Sequence, residues 1–252
     1  MILQNIWTPR KKRKRDVTLI IDLRSASETN DAKRQAITQR APGGTFVAVR
    51  SLDEMILKRD CKRQLFVSAS FAPGRQAYLD YVITNWLSRE EAETARGNEA
   101  QRGSIIYRAL NLHGLMGLVE MVLETNIYIA NVLKAMTLHL ESNCDGKILL
   151  HCNLGKDRCG MLSMLCQYML GATDEDMIQD FAKSSAVRTL AEQRYYEIFN
   201  GKANNESFAN ASPETMKGAL QYLRTKYGSI EKYLDAAGFD ESWRHRFVSV
   251  AS

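Results

Sequence analysis

Short apolar runs alternate with longer amphipathic stretches along the chain. Two runs rich in β-branched residues, at 17–23 and 45–49, predict buried strands, and a further apolar run at 147–150 predicts a short one. Residues 59–74 give no clear pattern. The sequence therefore predicts an α/β fold, with a small, central, mostly parallel sheet flanked by helices.

Apolar positions spaced three and four residues apart predict helices over much of the remaining chain, and most of these lie in the C-terminal half. One helix is predicted over 76–96, and a single long helix extends from Leu118 to Leu140. Residues 200–211, rich in Gly, Asn and Ser, predict a surface loop, and residues 143–146 predict a turn.

Three pairs of residues are typical of helix starts, because a short polar side chain caps free N–H groups or because proline suits the first turn. These pairs are Ser25 with Glu28, Thr173 with Asp176, and Ser212 with Pro213.

The net charge of +5 is confined to the N-terminus, since residues 10–15 are all basic and residues 17–252 carry no net charge. We therefore predict a disordered basic tail over 1–16 and a single domain over 17–252. The basic run fits a nuclear-localisation signal, a contact with anionic lipid, or a merely solvated segment. The neutral body gives no sign of a nucleic-acid partner.

The cysteines and the apolar runs predict the cellular compartment of the protein. Five cysteines without regular spacing argue against a disulfide framework and predict a reducing, cytoplasmic compartment. No apolar run is long enough to span a bilayer, so we expect no stable membrane insertion.

The stretch 148–160 predicts a strand, a loop and a helix that together bind an oxyanion. Backbone N–H groups of such a loop converge on the anion, and the helix dipole favours negative charge there. The same field lowers the pKa of Cys152 at the start of the loop. Arg158, after five intervening residues, provides a planar fork for two phosphate oxygens. We infer that Cys152 attacks a phosphoester and forms a phosphocysteine intermediate.

The rest of the loop is expected to surround the substrate phosphate. The phosphate-binding candidates are Asn153, Leu154, Gly155, Lys156, Cys159 and Gly160. Lys156 is expected to add positive charge at the mouth, which suits a substrate with more than one phosphate; alternatively it is a surface lysine paired with Asp157. His151 is expected to orient the loop rather than to act as a base.

The leaving group needs a proton, and Asp157 is the first candidate for the general acid. No aspartate lies between Tyr81 and Cys144, where an upstream acid would be sought. The alternative is that Asp157 fixes the loop by accepting backbone hydrogen bonds. Asp80 and the glutamates of 89–99 are weaker candidates.

Cys159 stands where a hydroxyl would ordinarily donate to the thiolate, and a thiol is a weaker donor. We therefore expect slower hydrolysis of the intermediate. The second sulfur also predicts a Cys152–Cys159 disulfide after oxidation.

The loop from His151 to Arg158, of the form His-Cys-x-x-Gly-Lys-Asp-Arg, resembles that of the atypical tyrosine phosphatases of the mycobacterial PtpB type. That loop is in turn similar to those of phosphoinositide phosphatases. Three further pieces match the family pattern in the right order. They are Ile21–Ser25 with Glu28, Asp180-Phe181 with Ser184, and Tyr227–Ile230 with Tyr233-Leu234 and Gly238.

The resemblance implies a cysteine-phosphatase fold and a hydrolase that acts on phosphotyrosine without metal or cofactor. Phosphoserine or phosphothreonine in proteins and phosphoinositides are further substrate classes that it implies. It gives Cys152 the role of nucleophile, Arg158 that of phosphate clamp and Asp157 that of acid, and it suggests a lid over 75–115.

A catalytically impaired phosphate-binding module is the alternative function. It rests on two departures from the family pattern. Cys159 replaces a Thr or Ser, and the basic tail replaces the first strand of the sheet.

Overall fold

The computed structural model describes residues 5–7, 17–24, 46–49, 52–54, 64–67, 75–124, 126–142, 147–199, 201–202 and 205–251. These ranges contain one five-stranded sheet with the order β1-β5-β2-β4-β3. Strands β2 to β5 run parallel, and β1 pairs antiparallel with β5. The strands are β1 (Asn5–Trp7), β2 (Val17–Asp22), β3 (Phe46–Val49), β4 (Gln64–Val67) and β5 (Lys147–His151).

The α/β prediction is confirmed, and the centre of the sheet explains why its strands lack a polar face. Leu19, Ile20 and Ile21 of β2 are all fully buried. A parallel strand covered on both faces has no solvent side, so apolar residues follow one another without alternation. Strand β2 pairs directly with β5, and Asp22 lies opposite His151. The carboxyl ends of these two strands therefore meet at one edge of the sheet.

Two parts of the sheet differ from the sequence prediction. The tail over 1–16 is not wholly disordered, because Asn5–Trp7 pairs with residues 148–150. Without this segment β5 would be an edge strand with unpaired N–H and C=O groups, which the short strand β1 satisfies. The unassigned stretch 59–74 contains β4, whose four residues are too few to show a periodicity.

Helices make up most of the remaining described chain. Those that precede β5 are α1 (Arg75–Asn85), α2 (Arg89–Gly97), α3 (Glu99–Glu124) and α4 (Asn126–Glu141). Those that follow it are α5 (Asp157–Met169), α6 (Asp174–Ala182), α7 (Arg188–Phe199), α8 (Asn205–Ala209), α9 (Pro213–Tyr227), α10 (Ile230–Ala237) and α11 (Glu241–Ala251), with a 3₁₀ turn at Lys183–Val187.

Two helix predictions and one loop prediction are wrong in extent. The helix predicted over 76–96 is two helices, because Ser88 and Glu91 form a capping box that starts α2. The long helix predicted from Leu118 to Leu140 is also two, and α3 and α4 are bent by 64° at the break between them. The loop predicted over 200–211 contains α8.

Two predicted helix starts are confirmed. Thr173 and Asp176 form a capping box at α6, and Pro213 occupies the first turn of α9 after Ser212. The predicted start at 25–28, the predicted turn at 143–146 and the basic run at 10–15 lie outside the described residues.

Buried side chains form two main clusters. The larger one joins the sheet to α4, α5, α6 and the three C-terminal helices. The second joins α1, α2, α3, α7 and α8, and it includes Leu154 from the predicted loop. In the described ranges no single helix is long and apolar enough to cross a membrane; only the bent pair of α3 and α4 meets that test jointly.

Candidate active site

The predicted loop lies at the carboxyl edge of the sheet, between β5 and α5. Cys152 follows the last residue of β5, and Asp157 is the first residue of α5. The end of β2 is tied to the same place, because the backbone N–H of Leu23 donates to the carbonyl of His151 over 2.8 Å. The sequence thus forms the strand, loop and helix expected of an oxyanion site.

Cys152 is buried, and its sulfur accepts hydrogen bonds from two directions. The backbone N–H of Gly155 donates to Sγ of Cys152 over 3.2 Å. The thiol of Cys159 also donates to it, and this bond, followed by the positive charge of Arg158, lowers the pKa of Cys152 to about 6. Burial and the charge of Asp157 oppose this shift. Cys152 is therefore mainly a thiolate at neutral pH.

Cys159 keeps its proton under the same conditions. It is completely buried, and burial together with the neighbouring Cys152 raises its pKa well above the ordinary value. The thiol is consequently available as a donor whenever Cys152 is ionised. The Cys159 thiol thus serves as the donor to the thiolate, where a hydroxyl would ordinarily be expected.

Arg158 is anchored to the end of β2. Its Nη1 donates to the carbonyl oxygen of Leu23 over 2.8 Å. This contact joins residues 135 positions apart in the chain, so local sequence patterns carry no sign of it. It holds the guanidinium beside the loop that begins at Cys152.

A buried ion pair fixes the β2 end that holds Arg158. Asp22 accepts two hydrogen bonds of 2.9 Å from the Arg24 guanidinium and one of 3.0 Å from the Arg24 backbone. Nδ1 of His151 lies 3.7 Å from the same carboxylate. Burial lowers the pKa of His151, so its imidazole is neutral at neutral pH. This placement is compatible with an orienting role for His151.

Lys156 does not lie at the mouth of the site, as its side chain was expected to do. The side chain is fully buried, and Nζ donates to the carbonyl of Phe208 near the end of α8. Nζ also lies 5.4 Å from the ring centroid of Tyr195. The last carbonyls of a helix lack partners within it and attract a cation. The unpredicted helix α8 therefore explains why Lys156 points inward.

Asp157 is almost completely buried next to the thiolate. Its Oδ2 accepts a hydrogen bond of 2.6 Å from the hydroxyl of Tyr195. Nζ of Lys156 lies 3.1 Å from Oδ1 but outside hydrogen-bond geometry, and Oδ1 has no hydrogen-bond partner among the described residues. Oδ2 is thus fixed by a hydrogen bond, whereas Oδ1 is only attracted electrostatically by the Lys156 ammonium group.

The remaining candidates lie around this centre. Oδ1 of Asn153 accepts from Nε of Arg194 over 3.4 Å, and Leu154 is buried in the second cluster. A Cβ on Gly160 would lie 3.0 Å from ring carbons of Phe181, so glycine lets α5 pack closely on α6. Asp80 is exposed and accepts from Gln76.

Two residues that hold the site from other elements were not predicted from the sequence. Tyr195 and Leu23 contact the loop from α7 and from the end of β2. Neither belongs to a local motif, so only the tertiary structure shows them. Within the described part of the chain, no three His, Cys, Asp or Glu side chains cluster closely enough to hold a metal ion.

A buried cysteine, an arginine and a helix start thus lie together at one edge of the sheet, an arrangement suited to an oxyanion. The family model described as "Tyrosine phosphatase family" matches residues 10–249. The chain therefore belongs to that family and is a hydrolase of the phosphatase type. No curated protein matches the chain.

The role of Cys159 predicts how the thiolate responds to mutation. Cys159→Ala removes the main donor, so we expect the midpoint of Cys152 ionisation to rise from about pH 6 by about one to two pH units. A hydrogen bond to a charged group contributes about 1.5–3 kcal/mol, and one unit corresponds to about 1.4 kcal/mol. The rate of iodoacetamide alkylation measured against pH gives this midpoint.

Two controls accompany this titration. Cys159→Ser restores a donor and should keep the low midpoint, and Cys166→Ala removes a buried thiol farther along α5. An unchanged midpoint in Cys159→Ala would contradict the prediction and show that Arg158 and the loop N–H groups alone keep the pKa of Cys152 low.

The paired sulfurs predict a specific oxidation product. A hydroperoxide transfers one oxygen to the Cys152 thiolate, giving a sulfenic acid and the corresponding alcohol or water. The Cys159 sulfur then attacks the sulfenic sulfur, the S–S bond forms and water leaves. We expect peptide mapping of the folded, oxidised protein to find the Cys152–Cys159 crosslink, and dithiothreitol to restore the thiols. In Cys159→Ser we expect irreversible sulfinic acid instead; lack of a crosslink in the unmutated protein contradicts the prediction.

Proposed function

We propose that the protein is a cysteine-dependent phosphomonoester hydrolase whose substrates carry phosphotyrosine. The observation that carries the proposal is the placement of buried Cys152 between β5 and the start of α5, where the Gly155 N–H donates to its sulfur. The lowered pKa of Cys152, about 6, which the Cys159 thiol and Arg158 cause, supports it. Such a thiolate has no structural use in a core, where a neutral thiol is the less costly form. It is the form that attacks phosphorus.

The proposed reaction proceeds in two displacements. The thiolate of Cys152 attacks the phosphoryl group in line and displaces the phenoxide of the substrate. Arg158 and the backbone N–H groups of 153–158 hold the non-bridging oxygens, on which charge accumulates. Water then hydrolyses the phosphocysteine and regenerates the thiolate.

Asp157 is proposed to protonate the leaving group. Support comes from its position beside the nucleophile and from the hydrogen bond of Tyr195, which holds Oδ2 and leaves Oδ1 without one among the described residues. A carboxylate held at one oxygen can carry a transferable proton on the other. Lys156 stabilises the ionised form that remains after transfer.

An impaired phosphate-binding module is the alternative function. It rested on Cys159 and on a missing first strand. Cys159 makes the largest contribution to lowering the pKa of the nucleophile, and Asn5–Trp7 completes the edge of the sheet beside β5. The lowered pKa supports the first displacement, and the turnover test below decides whether the intermediate is hydrolysed.

The first test measures turnover of para-nitrophenyl phosphate in EDTA. We expect activity that is insensitive to EDTA, increases with the thiolate form above about pH 6, and drops to background in Cys152→Ser. Cys166→Ala, at a buried thiol outside the loop, is the matched control and should retain activity. Hydrolysis of para-nitrophenyl phosphate by Cys152→Ser at the unmutated rate would contradict the proposal.

A comparison of three phosphorylated substrates with the same protein tests the proposed substrate class. A phosphotyrosine peptide, a phosphothreonine peptide and phosphoinositide vesicles are compared at equal phosphate concentration, and we expect the phosphotyrosine peptide to be hydrolysed with the highest kcat/KM. Binding of these ligands without turnover would instead support the phosphate-binding module.

The second test separates the acid role of Asp157 from a role in fixing the loop. Asp157→Asn should reduce kcat by about 10²–10⁴-fold for an aryl phosphate with a poor leaving group. It should affect a dinitrophenyl ester much less, because that leaving group needs no proton. Tyr195→Phe removes the 2.6 Å hydrogen bond but keeps the carboxylate, and is the control. Equal losses for both esters in Asp157→Asn would favour the loop-fixing role.

A further inference from the structure

Tyr128, in the first turn of α4, has a buried hydroxyl group without a hydrogen bond. Its side chain is almost completely buried, and Oη has no hydrogen-bond partner among the described residues. Burial of an unsatisfied polar group costs about 1–3 kcal/mol, and most buried polar groups do have a partner. The hydroxyl therefore calls for a functional or structural explanation.

Tyr128 lies in the same buried cluster as Cys152 and Cys159 of the candidate active site. The charges of Arg158 and Cys152 act on its hydroxyl, together with Tyr78 and Tyr233. Burial raises the pKa of Tyr128 well above its ordinary value, and the Cys152 thiolate contributes to this. The group is therefore a neutral O–H donor in the same buried cluster as the nucleophile.

A neighbouring tyrosine shows the contrast. Tyr233 is equally buried, but its hydroxyl donates to the carbonyl of Leu123 over 2.8 Å. That bond stabilises the break between α3 and α4. Tyr128 has no corresponding acceptor in the described part of the unliganded protein.

We propose that the hydroxyl of Tyr128 binds the phosphoryl group of the substrate by donating a hydrogen bond to one of its oxygens. This inference rests on the proposed function, since it needs an oxyanion in the loop. The bound anion supplies the acceptor that Oη lacks. Tyr128 would thus extend the phosphate site from the loop to α4, which sequence analysis treated as a core helix only.

The proposal predicts opposite changes in stability and in binding. Tyr128→Phe should weaken the binding of tungstate and of inorganic phosphate by about tenfold or more, because hydrogen bonds to charged groups contribute about 1.5–3 kcal/mol. The melting temperature of the unliganded variant should be equal or higher, because the substitution removes an unsatisfied buried hydroxyl. Calorimetric titration and thermal unfolding measure the two effects.

Tyr233→Phe is the matched control, since it removes one hydroxyl from a neighbouring buried ring. We expect it to lower the melting temperature, because it leaves the Leu123 carbonyl without its donor, and to leave oxyanion affinity unchanged. Unchanged affinity in Tyr128→Phe would overturn the inference, whatever the melting temperature. If the unmutated protein binds neither oxyanion, the proposed function fails as well.

Discussion

The structure depends on keeping a negative charge on a sulfur atom that is almost fully buried. Desolvation disfavours any charged group in a core. Here the cost is offset by the Cys159 thiol, the nearby Arg158 and the Gly155 N–H, which together stabilise the Cys152 thiolate. Glycine suits its place in this loop, since Gly155 has a φ of 73°, in the left-handed region. Such a turn brings a backbone N–H to face the sulfur.

The need to stabilise this thiolate also explains why Arg158 is anchored at the edge of the sheet. Arg158 can stabilise the thiolate only if its guanidinium stays in place, and the Leu23 carbonyl holds it there. Leu23 follows Asp22, whose carboxylate is fixed by the bidentate contact with Arg24. A buried ion pair adds little net stability, but removing one partner leaves an uncompensated charge. The pair is better understood as a device that positions β2 next to the loop.

The sequence predicts those features that depend on neighbouring residues. The strands β2 and β5, the loop and the capped start of α6 all follow from local apolar runs, glycine placement and capping side chains. The buried position of the Lys156 side chain could not be predicted, because it depends on a hydrogen bond to the Phe208 carbonyl, 52 residues away. The break between α3 and α4 also escapes prediction, since both sides of it carry the same apolar spacing.

Charge balance in the site shows what a substrate must find there. The Cys152 thiolate and the Asp157 carboxyl group each have a cation close by, Arg158 for the first and Lys156 for the second. A phosphate ester adds further negative charge without a matching cation among these four groups. Apart from the Arg158 clamp, its stabilisation then falls to neutral donors and dipoles, namely the loop N–H groups and the start of α5. Such preorganised donors need no rearrangement when charge develops, and in a site that excludes water they act at full strength. A buried neutral hydroxyl beside the loop suits this requirement, because it can donate to a bound oxyanion without changing the charge balance around the thiolate.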